Sequence, residues 1–215
     1  MIELVLKGVL CYLLGSVVGS LLIGRFLGID IRSLGSGNAG ATNMLRTQGK
    51  AVALWVFLID LGKGWVATGL IAPAAFPGPA PAALAGWSVP VCGLAVMLGH
   101  VYPLWYGFRG GKAVATFVGV ALGLSGWLVL AMALTWLAAV ILSGFVGFAS
   151  ILGAIAVAVV IAAGDFAPRA PLLALGILAA LFILYTHRAN IARMRAGTES
   201  RAKRLWLLGA RRNRA

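Results

Sequence analysis

Three polar stretches interrupt an otherwise apolar chain, and each gathers side chains able to hold an anion. Residues 35–50, GSGNAGATNMLRTQGK, carry Ser36, Asn38, Thr42, Asn43 and Arg46. Residues 106–116, YGFRGGKAVAT, carry Gly110, Gly111 and Lys112, and residues 187–199, HRANIARMRAGTE, carry His187, Asn190, Arg193 and Glu199. Hydroxyls, carboxamides and fixed cations of this kind suit phosphate, whose oxygens accept several charge-assisted hydrogen bonds at once. The histidine adds a group whose reference pKa of about 6.5 lets it move a proton at neutral pH.

Two nucleotide motifs come close and fail. Gly35, Gly37 and Gly40 have the G-x-G-x-x-G spacing of a dinucleotide turn, with Asp60 some twenty residues on. That fingerprint works only where a β-strand feeds a helix, whereas here it follows a long apolar segment and Asp60 falls inside the next one. The second stretch approaches a phosphate loop, but Tyr106 stands at the first glycine position and Ala113 follows the lysine. What survives is physical. Gly110 and Gly111 are expected to let backbone N–H groups approach an anion, Lys112 supplies a charge, and a helix is expected to start there with its positive end towards the site.

The elements that must position these groups are membrane helices. Of 215 residues, 61% are hydrophobic and 11% charged, with a mean hydropathy of +1.00, far too apolar for an ordinary soluble domain. Apolar segments over 3–26, 51–72, 86–108 and 171–188 are each about twenty residues long, enough to cross the hydrocarbon core. About fifty apolar residues between Lys112 and Gly164 are broken by GLSG at 123–126 and SGFVG at 143–147. The basic groups fix the parity. Arg32, Arg46 and Lys50, then Arg109 and Lys112, then nine basic residues from Arg188 onward all belong on one side by the positive-inside rule, so that stretch contributes an odd number of crossings.

The expectation is therefore an all-α integral membrane protein with seven transmembrane helices, its N-terminus periplasmic and its C-terminus cytoplasmic. It forms a single polytopic domain over 1–215, with a helical bundle and cytoplasmic motif loops over 1–197 and a basic tail over 198–215. Five crossings, with the long stretch as one bent span, are the alternative. The net charge of +13 is accounted for by this bias and by anionic membrane lipid, without nucleic acid. Cys11 and Cys92 lie in apolar segments and form no ligand group.

All three motifs fall on the same expected side, so their donors could converge on two phosphorylated molecules. Together, GSGNAGATN…R after the first helix, GHVYPLWYGFRGGKAVAT after the third and HRANIARMRAGTE after the last resemble the three motifs of the bacterial acyl-phosphate:glycerol-3-phosphate acyltransferases, the PlsY family. The resemblance runs in order along essentially the whole chain; Met194 stands where leucine is expected. It implies an inner-membrane enzyme that moves a fatty acyl group from acyl phosphate to the 1-hydroxyl of sn-glycerol 3-phosphate, giving lysophosphatidic acid and inorganic phosphate, with no metal and no cofactor.

By that resemblance Ser36, Asn38, Arg46 and Lys112 bind phosphate, and His187 and Asn190 complete the site. Thr42, Asn43 and Arg193 are added as donors, Gly110 and Gly111 as close-approach glycines, Glu199 as an orienting or structural acid and Ser150 as a further polar contact. Acyl phosphate is a mixed anhydride with a good leaving group, so proximity, charge neutralisation and oxyanion donors carry much of the reaction. The base that takes the hydroxyl proton is either His187 or a substrate phosphate. Ser36 as a covalent nucleophile lacks an activating dyad. His100 is either a direct site residue or a helix-end tie. Neither histidine opens an H-x-x-x-x-D motif, since Trp105 and Ala192 occupy the acid position, which excludes acyltransferase chemistry based on that dyad.

A transporter of phosphorylated solutes is the rival reading. Its main support is Asp60 and Lys63, three residues apart within the second span; they could equally pair with each other or line the site. Against it, the donors lie in loops on one side and no internal repeat is visible. The tail, RAKRLWLLGARRNRA, reads as a basic anchor on anionic lipid, with a soluble acyl-phosphate-producing enzyme as a possible partner.

Overall fold

The computed structural model describes residues 1–78, 81–203 and 205–207. Among them the helices are α1 (Ile2–Gly15), α2 (Gly19–Phe26), α3 (Ala41–Thr47), α4 (Lys50–Trp65), α5 (Ser88–Val101), α6 (Val114–Leu124), α7 (Gly126–Ser143), α8 (Val146–Ala163), α9 (Arg169–Thr186) and α10 (Arg188–Arg195). No strand occurs among the described residues, which removes the dinucleotide-turn reading of residues 35–40.

Each apolar segment of the sequence is a helix, with three differences. The first span is not continuous: α1 and α2 are bent by 43° about residues 16–18. The second continues beyond Trp65 as a π-helical turn, Val66–Ile71, where the Thr68 hydroxyl lies 3.2 Å from Gly64 O and 3.0 Å from Val120 O. The long apolar stretch divides at Ser125 and Gly144 into α6, α7 and α8, so it is not one bent crossing.

Among the described residues, five helices are long and apolar enough to cross a membrane, and six when the bent pair is taken as one span. The seventh segment, α6, has 11 residues, about 16 Å of helix against the roughly 30 Å hydrocarbon core. The outward faces carry Trp55, Leu134, Val159 and Leu181, each more than half exposed. In water such surfaces would aggregate, whereas in a bilayer they are the lipid face.

The chain groups into two compact units, Met1–Ser125 and a second beginning at Gly126. In the first, α1 meets α5 and α4 meets α6 at van der Waals contact of the backbones. A β-carbon on Gly99 would overlap Tyr12 O, and one on Gly119 would overlap Leu61 O. Lipid gives no hydrophobic drive between helices, so close approach through small residues supplies the dispersion contacts that hold them. In the second unit α7, α8 and α9 form an up-down-up array, with a hairpin at Ser143–Phe145 where the Ser143 hydroxyl accepts Phe145 N at 3.1 Å.

The start of the tail is built into this second unit. Ala202 N donates to Gly144 O at 2.8 Å, and the Arg201 guanidinium lies 4.3 Å from the Phe145 ring centroid and 4.1 Å from that of Trp206. Arg201, Ala202 and Trp206 thus pack on the α7–α8 hairpin, while Thr198 and Glu199 are bonded back to α10. Arg204, Arg211, Arg212 and Arg214, which made the tail read as an anchor, lie outside the described residues.

Candidate active site

In the first unit, motif 1 is the loop from Asp30 to the end of α3, and a single carboxamide shapes it. Asn43, 1% exposed, accepts the Ser36 amide on Oδ1 at 3.0 Å and donates through Nδ2 to Ile31 O at 3.2 Å and Leu34 O at 2.9 Å. Its donors and acceptor are engaged by the loop's own backbone, so it folds the loop that carries Ser36. Gly35 sits at φ +56 with its α-carbon against Asn43 Oδ1; a β-carbon would overlap that oxygen. Ser36, Thr42 and Arg46 are exposed, Asn38 is half-buried, and Arg46 lies on the last turn of α3.

Motif 2 is the turn between α5 and α6. The structure corrects the expectation that Gly110 and Gly111 bare their N–H groups to an anion: Gly110 N donates to Val101 O at 3.0 Å and Gly111 N to His100 O at 3.1 Å. The need for glycine is steric. A β-carbon on Gly110 would overlap His100 O, and one on Gly111 would overlap both His100 Nε2 and Ala39 O of motif 1. Phe108 and Ala113 hold left-handed φ values of +58 and +61 on either side of the turn, a cost that non-glycine residues accept where surrounding contacts dictate the backbone. Between them stands the half-buried Lys112, and α6 starts two residues later.

Arg32, which sequence reasoning counted only as a topogenic charge, clamps the two motifs together. Its Nη1 donates to Tyr106 O at 2.9 Å and Arg109 O at 3.2 Å, while Nε and Nη2 hold Asp30 at 2.8–3.1 Å. The hydrogen-bonded guanidinium beside Asp30 holds its carboxyl below the usual carboxylate range.

The second unit carries motif 3. His187 ends α9 and starts α10, and its Nδ1 lies 2.8 Å from Ile183 O. A carbonyl can only accept, so the proton sits on Nδ1 and, in the neutral ring, Nε2 has the lone pair that proton abstraction needs. Asn190 Nδ2 donates to Glu199 Oε1 at 2.6 Å, and Arg193 Nε donates to Glu199 Oε2 at 2.6 Å. Glu199 therefore holds the Asn190 carboxamide and the Arg193 guanidinium in place. Gly147 also went unnoticed in the sequence: a β-carbon there would press on the Asn190 side chain at 3.1 Å. Ser150 is buried with its hydroxyl donating to Val146 O at 2.9 Å, one turn back along α8.

Asp60 and Lys63 pair with each other at 3.0 Å in the first unit, and Lys63 also meets two carbonyls of the broken first span, Gly15 O at 2.9 Å and Val17 O at 2.8 Å. Charges satisfied in this way are helix ties, which takes away the main support of the transporter reading. Among the described residues no group of three or more His, Cys, Asp or Glu is placed to hold a metal ion.

Residues 5–197 match the family model described as glycerol-3-phosphate acyltransferase. The chain belongs to this acyltransferase family. The glycerol-3-phosphate acyltransferase of Synechococcus sp. (strain CC9902) is 42% identical over 191 residues, covering 88% of this chain and 90% of the relative. That of Laribacter hongkongensis is 42% identical over 194 residues, covering 90% and 93%. Among solved structures, PlsY (YgiH), an integral membrane glycerol 3-phosphate acyltransferase, is similar in its glycerol 3-phosphate form with a TM-score of 0.82 and 34% identity, covering 92% of this chain and 94% of that one. Its lysophosphatidic acid form gives a TM-score of 0.80 at 33% identity, with the same coverage. Membership in the acyltransferase family makes this chain a multi-pass membrane protein of that class.

Proposed function

We propose that this acyltransferase takes its fatty acyl group from acyl phosphate and delivers it to the 1-hydroxyl of sn-glycerol 3-phosphate in phospholipid biosynthesis. An ester bond forms between the glycerol oxygen and the acyl carbon, the bond from acyl carbon to phosphate oxygen breaks, and the hydroxyl proton passes to His187 Nε2 or to a phosphate oxygen. Lysophosphatidic acid and inorganic phosphate leave. The observation that carries the reading is the junction of motif 1 and motif 2, where Arg32 bonds Tyr106 O and Arg109 O and a β-carbon on Gly111 would overlap Ala39 O, which joins the loop bearing Ser36 and Arg46 to the turn bearing Lys112.

In this reading Arg46 and Lys112 neutralise phosphate, with Ser36, Asn38 and Thr42 donating to its oxygens. Asn43, Gly110 and Gly111 shape the loops, and Ser150 serves through the α8 backbone. Asn190, oriented by Glu199 and Arg193, assists His187. The anhydride is activated already, so neither metal nor cofactor is needed. We place the enzyme in the bacterial inner membrane as a single polytopic domain of seven crossings. The N-terminus is periplasmic, and the motifs and tail face the cytoplasm, where a soluble enzyme would supply acyl phosphate.

The test is kinetic. Lys112→Ala in the purified full chain should lower incorporation of labelled glycerol 3-phosphate into lipid by about 10²-fold or more, the usual cost of losing one charged donor to a developing anion. Unchanged incorporation would remove Lys112 from the reaction.

A further inference from the structure

Asp60, Lys63 and His100 are 1%, 4% and 3% exposed, and none is used by the reaction described above. At the break in the first span, Lys63 Nζ takes the carbonyls of Gly15 and Val17. Asp60 Oδ1 accepts the amide of Gly19, the first of α2, at 3.1 Å. A cation thus meets the carbonyl end of one half-helix and an anion the amide end of the other, which satisfies groups that lipid could not.

The same ammonium lies 2.8 Å from His100 Nδ1. An ammonium has protons and no lone pair, so Nδ1 must be the acceptor and the ring proton sits on Nε2. The longer 3.4 Å separation between Nδ1 and Asp60 Oδ1 does not compete. Nε2, on the far edge of the ring, lies against the α-carbon of Gly111, where Ala39 O also arrives. The ring therefore fills the space between a buried lysine and the meeting point of motif 1 and motif 2. The backbone bond from Gly111 N to His100 O could be made by any residue; this filling could not.

We propose that His100 is a positioning residue: braced by Lys63, its imidazole seats the Gly110–Gly111–Lys112 turn against Ala39 and so sets where Lys112 meets phosphate. The proposal rests on the phosphate-binding role given to Lys112 above. Two substitutions separate the ends of the ring. His100→Asn keeps an acceptor where Nδ1 was and gives up the far edge, whereas His100→Gln returns an N–H towards the place of Nε2.

KM for glycerol 3-phosphate and kcat would be measured for the full chain with palmitoyl phosphate as donor, with thermal unfolding alongside. His100→Asn is expected to unfold within a few degrees of wild type while its KM rises about tenfold or more, the scale of a small misplacement of a binding group. His100→Gln should recover most of that loss. A wild-type KM in His100→Asn, or equal losses in both variants, would overturn the proposal while leaving the reaction intact. A folded wild-type protein that does not use palmitoyl phosphate would overturn the reaction assigned above, and the role of His100 with it.

Discussion

At the residue scale the decisive feature of His187 is which nitrogen is occupied. Its Nδ1 is tied to Ile183 O at 2.8 Å, one turn back along α9, so the lone pair that proton transfer needs lies on Nε2. If Nε2 is the base, His187→Ala should lower kcat by about 10²–10⁴-fold with a smaller change in KM, measured with saturating acyl phosphate. A loss below about tenfold would assign the proton to a substrate phosphate. The candidate residue types stand out in the sequence because phosphate chemistry favours Ser, Asn, Arg, Lys and His. Their uses are less legible there. Asn43 reads as a donor to ligand but spends its carboxamide on Ser36, Ile31 and Leu34. The amides of Gly110 and Gly111 turn inward to α5; amide direction depends on φ and ψ, which no residue pattern states.

At the scale of elements, the helices were readable because a span needs a long uncharged run, and the breaks at Ser125 and Gly144 follow glycine and serine. The break at residues 16–18 has a non-local cause. Its open carbonyls and amide find Lys63 and Asp60, more than forty positions away, so the local sequence Ser16–Val17–Val18 carries little sign of it. Packing between elements gives a sharp contrast of two glycines. Gly99→Leu would drive a side chain into Tyr12 O and part α1 from α5, with an expected cost of about 1–3 kcal/mol or more. Gly62→Ala on α4 meets nothing within 4 Å and should be neutral or up to about 1 kcal/mol stabilising, since alanine favours helix. Thermal unfolding of the two variants in one detergent would show the difference; similar shifts would contradict the glycine-mediated contact.

For the whole molecule, the proposed seven crossings put residues 164–170 and the segment after α10 on opposite sides of the membrane. Asp165 and Thr198 are both exposed, and the native Cys11 and Cys92 are buried. With those two replaced by alanine, Asp165→Cys should react with a membrane-impermeant maleimide added outside spheroplasts, and Thr198→Cys should react only after lysis. Labelling of both from one side would break the assigned topology. The reaction itself is tested most directly by its donor. Purified full-length protein in a lipid mesophase would be given labelled glycerol 3-phosphate with palmitoyl phosphate or palmitoyl-CoA, each with and without EDTA. The account predicts lysophosphatidic acid and inorganic phosphate in equal amounts from palmitoyl phosphate alone, unaffected by the chelator. Product from palmitoyl-CoA alone, or from neither donor with folded protein, would contradict it.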